Sequence, residues 1–499
     1  MTTNFSEVVE RSRAAFNNGR TLSVAFRKQQ LKQLLKMYKD HQQDFIDALH
    51  TDLRKPKMES FMFEVNAAME DIKYTLNRID KWVEPDKAPS LIPMDKSFVL
   101  KEPYGVVLVM SAWNFPLNLL MIPVQGAIAA GNAVIIKPSE VASATEALVA
   151  KLVPQYLDKE CYQVVCGGVT ETTALLQQRF DYIFYTGSTH VGRIVREAAN
   201  KNLTPTTLEM GGKSPCYIDS TVNMDLVVRR VLWGKLCNLG QICVAPDYVL
   251  CTKAVQEQFV SKAREVLLEW YGKEPQKSPD LSRIINERHV DRLVGYLECG
   301  KAVIGGRHDK ADRWIDPTVL VDVPHDSKVM KEEIFGPILP IINVKNYVDA
   351  ITFIREREKP LALYIFTKEE DVQQIFLKQV SSGGVTINDV IFHVATNDLP
   401  FGGVGNSGIG SYHGKYTFDT FSHHKACLSR TYNPLIERAT RMRFPPYTEK
   451  KMKLMTAQTD KGDGPGVLYY LRKLLEHLIT MALGALVLYL VMEYNNDDD

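Results

Sequence analysis

From Gly105 onward the chain switches four times between short runs rich in β-branched residues and stretches with helical periodicity. The extended runs are Gly105 to Met110, Ala133 to Ile136, Tyr162 to Val165 and Tyr182 to Tyr185. The helical stretches are Leu117 to Ala130, Glu140 to Leu157, Thr170 to Gln178 and the segment after Gly187. Such alternation predicts βαβ units and a mostly parallel sheet, with ligands bound beyond the carboxyl ends of the strands. Asn114, Lys137 and Gly187-Ser188 each follow a strand, so they are placed where a nucleotide would lie. A second alternating block runs from about residue 211 to 415, with strand candidates Tyr248 to Thr252, Ile338 to Val344, Leu361 to Phe366 and Val385 to Ile387. Two further β-like stretches, Ser97 to Glu102 and Tyr416 to Ser422, fall outside both blocks and are expected to pair with each other or with another chain. Ahead of them the segment after residue 80 is punctuated by Pro85, Pro89 and Pro93.

At 499 residues the chain calls for two or three domains. Its 60 basic and 59 acidic side chains nearly cancel, which argues against a nucleic-acid partner. Eight scattered cysteines form no disulfide framework and no zinc-ligand spacing, so no metal is expected. The N-terminal residues are polar and charged, unlike a secretory signal. The C-terminal end is different. From Leu478 to Met492 only Thr480 and Gly484 interrupt an apolar run, with Arg472 and Lys473 before it and Asp497 to Asp499 after it. As a helix that run spans about 22 Å, against about 30 Å for a bilayer core. The expectation is a C-terminal membrane-anchor helix over 467–494, with a docking or interfacial helix as the alternative. Residues 436–466 read as a linker.

Two runs carry the chemistry. GQICVAPDY (Gly240 to Tyr248) holds Cys243 between turn-forming residues that would expose its thiol, and LEMGGKSP (Leu208 to Pro215) holds Glu209 beside two glycines. A thiol can attack a carbonyl carbon, and a carboxylate can deprotonate the water that later releases the product. Cys237 lacks such a setting and is expected in the core. Asn114, in SAWNFP, offers an amide donor to a developing oxyanion. Lys137 and Glu140, three residues apart, can both reach ribose hydroxyls. Gly187-Ser188 joins a strand to a helix N-terminus, which suits a diphosphate. Glu333 and Phe335, in EEIFGP, add a carboxylate and an aromatic face. Gly403, Gly405 and Gly408 match the three-glycine dinucleotide spacing but lack the strand–turn–helix context, and are set aside.

Taken together these runs resemble the aldehyde dehydrogenase superfamily over nearly all of residues 5 to 430. The class 3 branch is the most similar, and the tail with FGGVGNSGIGSYHGKYTFDTFSH (Phe401 to His423) looks like its fatty aldehyde dehydrogenases. The resemblance implies two doubly wound α/β domains, a small β oligomerisation arm and a C-terminal apolar helix. It implies an NAD(P)-binding domain from 1–80 and 104–209, bridging strands at 81–103 and 416–435, and a catalytic domain at 210–415. Cys243 matches the nucleophile and Asn114 the oxyanion donor. Glu209 and Glu333 match the two active-site carboxylates, either of which would be the main base, with Glu333 also holding the nicotinamide ribose. Lys137 and Glu140 match the adenine-ribose residues, Gly187 and Ser188 the dinucleotide turn, and Phe335 and Phe401 the walls around nicotinamide and substrate. Ile242 and Tyr185 depart mildly from the family pattern without removing a reacting group.

The implied reaction is oxidation of medium- or long-chain aldehydes to acids through a thiohemiacetal and a thioester, with NAD or NADP as cofactor. Glu140 opposes a 2′-phosphate by like charge. A homodimer, held to the cytosolic face of the endoplasmic reticulum, is expected. The rival readings are a coenzyme A-acylating dehydrogenase and a non-catalytic membrane-tethered scaffold.

Overall fold

A computed structural model describes residues 4–90, 92, 94–459 and 467–496. Two compact units are resolved: residues 1–87 with 98–427, and residues 88–97 with 428–499.

The larger unit contains both expected sheets. The first has six strands in the order Gly408–Ile409, Thr206–Met210, Tyr182–Gly187, Val106–Met110, Ala133–Lys137, Tyr162–Val164. Five run parallel, and the Gly408–Ile409 edge is antiparallel, with Gly408 opposite Glu209. Val106–Met110, first in the chain, lies between Tyr182–Gly187 and Ala133–Lys137, so the strand order reverses beside it. That reversal opens a crevice beyond the carboxyl ends of Val106–Met110 and Tyr182–Gly187. Val106–Met110 and its neighbour Ala133–Lys137 are buried throughout, which is why they read as unbroken apolar runs.

The second sheet runs Lys301–Ile304, Thr318–Val321, Ile338–Asn343, Tyr248–Cys251, Pro215–Ile218, Ala362–Phe366, Gly384–Ile387. Only its first pair is antiparallel. A third, three-stranded sheet is ordered Asp86–Ala88, Lys96–Pro103, Ser422–Ser429.

The β-like reading of Tyr416 to Ser422 is corrected: Lys415–Thr420 is helical and the strand starts at Ser422. Gly414, at φ +52°, turns the chain, and Phe418 and Phe421 are then buried three residues apart, a helical spacing that alternation cannot satisfy.

In the smaller unit, helices Pro434–Thr440 and Glu449–Thr459 occupy most of the expected linker, whose residues 460–466 lie outside the described ones. Pro93 and the acidic tip Asp497 to Asp499 also lie outside them. The apolar tail forms helix Val467–Asn496. Among the described residues, no helix is long and apolar enough to cross a membrane. The membrane-anchor reading of the tail is taken up below as a proposal.

Candidate active site

A cleft of about 1260 Å³ opens in the larger unit and is lined by residues from both main sheets. Asn114, Gly187, Ser188, Glu209, Cys243, Glu333, Phe335 and Phe401, all singled out in the sequence, border it. Lys137 and Glu140 do not line it. They lie at the same strand-end edge, where the Lys137 ammonium donates to Glu140 at 2.8 Å and to the Pro138 carbonyl at 2.9 Å.

Cys243 sits on a turn shaped by unusual backbone. Helix Met224–Leu236 ends, and Asn238 (φ 48°), Leu239 (φ 52°) and Gly240 (φ +77°) follow in left-handed conformations. A Cβ on Gly240 would meet the Gly336 carbonyl oxygen at 2.3 Å, so only glycine lets these two loops touch. The turn leaves the thiol half-buried at the cleft, while Cys237 is core as expected. Burial pushes the Cys243 thiol up, and the Glu333 and Glu209 carboxylates push it further. The backbone N–H groups of Cys243 and Val244 act in the opposite direction. The resting sulfur is therefore a thiol that needs a base, not a free thiolate.

Glu209 is 3% exposed, and among the described residues neither of its oxygens has a hydrogen-bond partner. Burial alone raises its carboxyl well above the usual range. An unpaired carboxylate in an apolar setting is costly, so burial favours the protonated carboxyl.

Glu333 is held differently. Its carboxylate lies against bare backbone: a Cβ on Gly211 would fall 2.0 Å from Oε2. Burial and Asp247 raise it, opposed by Lys213, the Gly212 N–H and Lys235. Its loop is clamped on both sides. Asp247 accepts from the Ile334 N–H (3.0 Å) and from Lys213 (2.5 Å), and Lys213 also donates to the Glu332 carbonyl (3.0 Å). From the other side Arg292 donates to the carbonyls of Glu333 (3.3 Å) and Ile334 (2.8 Å). Phe335 is kept at φ 51°, a strained angle for a bulky residue, with its ring edge-on to Trp113 at 5.3 Å. Sequence reading missed Lys213, Asp247 and Arg292. The only signal was that Lys213 and Asp247 fall within the two chemistry-bearing runs.

The strand-end residues fit a dinucleotide. A Cβ on Gly187 would fall 2.2 Å from the Tyr185 hydroxyl, so the backbone there stays bare, and the hydroxyl donates to the Ser188 carbonyl at 3.2 Å. Ser188 caps helix Thr189–Asn200 by accepting from the Val191 N–H, which leaves the helix N-terminus facing the cleft. Thr186 Oγ1 is buried without a partner among the described residues, a polar atom for a ligand to satisfy. The glycine run set aside in the sequence forms no dinucleotide turn of its own, yet Asn406 and Ser407 within it line the cleft. Asn406 accepts from Thr189 and Arg193 at 3.3 Å each.

A doubly wound sheet with a bare glycine turn, facing a thiol and two buried carboxylates across one cleft, defines an oxidoreductase of the nicotinamide-dependent class. The aldehyde dehydrogenase family profile matches residues 2–427. Aldehyde dehydrogenase family 3 member A2 of Macaca fascicularis is 51% identical over 446 residues, covering 89% of this chain and 92% of that protein. The dimeric NADP-preferring aldehyde dehydrogenase of Canis lupus familiaris is 48% identical over 448 residues, 89% of this chain and 98% of that one. The solved substrate-bound AldH of Staphylococcus aureus superposes with a TM-score of 0.89 at 41% identity, covering 92% of this chain and all of that one. The chain belongs to the aldehyde dehydrogenase family and is an NAD(P)-dependent enzyme.

Proposed function

We propose that this enzyme oxidises apolar, medium- to long-chain aldehydes to carboxylic acids through Cys243. The observation that carries the reading is that Cys243, Asn114 and Glu209, whose oxygens have no partner among the described residues, border one cleft. Cys243 Sγ attacks the aldehyde carbon as its proton passes to water in the cleft. The oxyanion of the thiohemiacetal is held by the Asn114 amide, which has a second N–H beyond the one donated to the Gln241 carbonyl at 3.1 Å, and by the Cys243 N–H. A bound nicotinamide supplies the hydride acceptor. Gly187, Ser188 and Thr186 would hold its diphosphate side, Glu333 and Phe335 its nicotinamide side, and Lys137 and Glu140 its adenine ribose. Glu209, in its ionised form, then takes a proton from the water that attacks the thioester carbon and passes it to the departing sulfur, releasing the acid and restoring the thiol. Glu333, tied to its clamped loop, is better placed to orient than to exchange protons.

Within this reading, residues 1–80 with 104–209 form the cofactor domain and 210–415 the catalytic one. The strands at Lys96–Pro103 and Ser422–Ser429 form the arm for a homodimer, a reading supported by the word dimeric in a close relative's name. The C-terminal helix attaches the enzyme to a membrane, here assigned to the endoplasmic reticulum. Leu474, Leu475, Leu478, Met481, Leu483 and Leu486 are each more than half exposed and lie all round the helix, an unpartnered apolar surface of the kind lipid covers. An apolar aldehyde partitions into the same membrane.

The test is NAD(P)H formation against aldehydes of increasing chain length, with Cys243→Ser as the blank. The expected result is a kcat/KM that rises from six to sixteen carbons and vanishes in the variant. A flat or falling series removes the substrate assignment, and turnover by the variant removes the mechanism. Deleting residues 467–499 should move the protein from the membrane to the soluble fraction of a lysate; continued pelleting contradicts the attachment.

A further inference from the structure

Three charged side chains from one short segment reach behind the thiol site, and none of them lines the cleft. Lys55 and Glu64 are fully buried and paired at 2.5 Å. The Lys55 ammonium also donates to the Asn114 carbonyl at 3.0 Å and lies 4.0 Å from the centre of the Phe115 ring. The other oxygen of Glu64 accepts the N–H groups of Leu117 (3.1 Å) and Asn118 (3.0 Å), where helix Asn118–Ala130 begins. Glu59 accepts from the Asn238 N–H at 2.8 Å, in the turn that leads to Cys243. Asn238 closes the circuit, since its amide donates to the Asn114 carbonyl (2.9 Å) and the Gln241 carbonyl (3.1 Å).

A buried ion pair is a poor source of stability, because desolvation consumes what the attraction returns and apolar replacements are often as stable. Here the additional hydrogen bonds of the pair all end on Asn114, Leu117 and Asn118, the stretch that presents the amide. The segment also departs from regular helix, with Phe61–Asn66 in π-helical geometry, an arrangement common near functional sites.

We propose that Lys55 and Glu64 are positioning residues for the oxyanion donor, holding the Asn114–Asn118 stretch at a fixed offset from the thiol turn so that the amide is aimed before the aldehyde arrives. This inference rests on the reading of Asn114 as that donor. Lys55 touches neither substrate nor thiol; it acts through the Asn114 carbonyl.

The experiment compares Asn114→Ala, Lys55→Met, the charge-neutral pair Lys55→Met with Glu64→Gln, and that pair combined with Asn114→Ala. It reads kcat, aldehyde KM and, by fluorescence titration, NAD binding. The neutral pair covers the case in which Lys55→Met alone, with Glu64 left uncompensated, does not fold. Asn114→Ala should lower kcat by about 100-fold, the typical loss of one oxyanion donor. The neutral pair should lower it by about tenfold or more with unchanged NAD affinity, as small misplacements of reacting groups do. Adding Asn114→Ala to the pair should give the loss of Asn114→Ala alone. Wild-type kcat in the neutral pair, losses that multiply in the combination, or weakened NAD binding would overturn the positioning role. Wild-type kcat in Asn114→Ala would overturn the reading of Asn114 itself, and with it this inference.

Discussion

Asn114 and Glu209 are buried to nearly the same degree, 2% and 3% exposed, yet their surroundings are opposite. The Asn114 carbonyl takes two donors and its amide is anchored to Gln241, whereas neither oxygen of Glu209 has a partner. Glu333 falls between them, with its loop tied by Asp247 and Arg292 and its carboxylate laid against Gly211. Under the proposed mechanism the contrast follows what each group has to do. A donor that stabilises a developing charge works by being fixed in advance. A base has to lose and gain a proton within one turnover, and a carboxylate raised by burial and free of hydrogen bonds is suited to that. A clamped carboxylate suits orientation.

Changes at the clamped side should test this contrast. The largest effect is expected from Gly211→Ala, whose new Cβ would collide with the Glu333 carboxylate. Cofactor KM should rise by on the order of 100-fold, because a displacement of about 1 Å is worth that much at a positioned group. An unchanged cofactor KM would detach Glu333 from cofactor binding. Asp247→Asn is milder. The amide oxygen it introduces can still accept from the Ile334 N–H, but Lys213 loses its ion pair. The fully buried Lys235, already lowered to about 8 by desolvation, loses its nearest carboxylate at 3.9 Å. Cofactor KM should rise by about tenfold, about 1.4 kcal/mol, with the burst of acylation retained. A fall in kcat with no change in KM would show that the clamp serves chemistry and not cofactor placement.

Much of the frame was legible because it depends on local pattern. Buried parallel strands must be apolar throughout, so Val106–Met110 and Ala133–Lys137 announced themselves. Gly187 and Gly211 were legible as bare backbone, although what needs the space, Tyr185 and Glu333, was not. Lys55 was invisible for a plain reason: its partner Asn114 is 59 residues away, and a lysine is ordinarily a surface residue. The same holds for Arg292 and Asp247. Residues 416–422 misled because β-branched and aromatic residues also fill a short helix when phenylalanines are buried at i and i+3. The tail shows that a run of apolar letters specifies a helix more readily than it specifies how that helix meets a bilayer.

The division of labour between Glu209 and the Asn114–Cys243 wall can be tested by rapid mixing of Glu209→Gln with a saturating aldehyde and NAD. If Glu209 serves only thioester hydrolysis, the first turnover should still give a burst of NADH equal to the enzyme present. Steady-state turnover should then fall by about 10²- to 10⁴-fold, the usual worth of a general base. The wild-type steady-state rate should climb with pH as the raised carboxyl loses its proton, and that climb should be absent in the variant. A variant that loses the burst itself, or that turns over at the wild-type rate with the wild-type pH profile, would contradict the account.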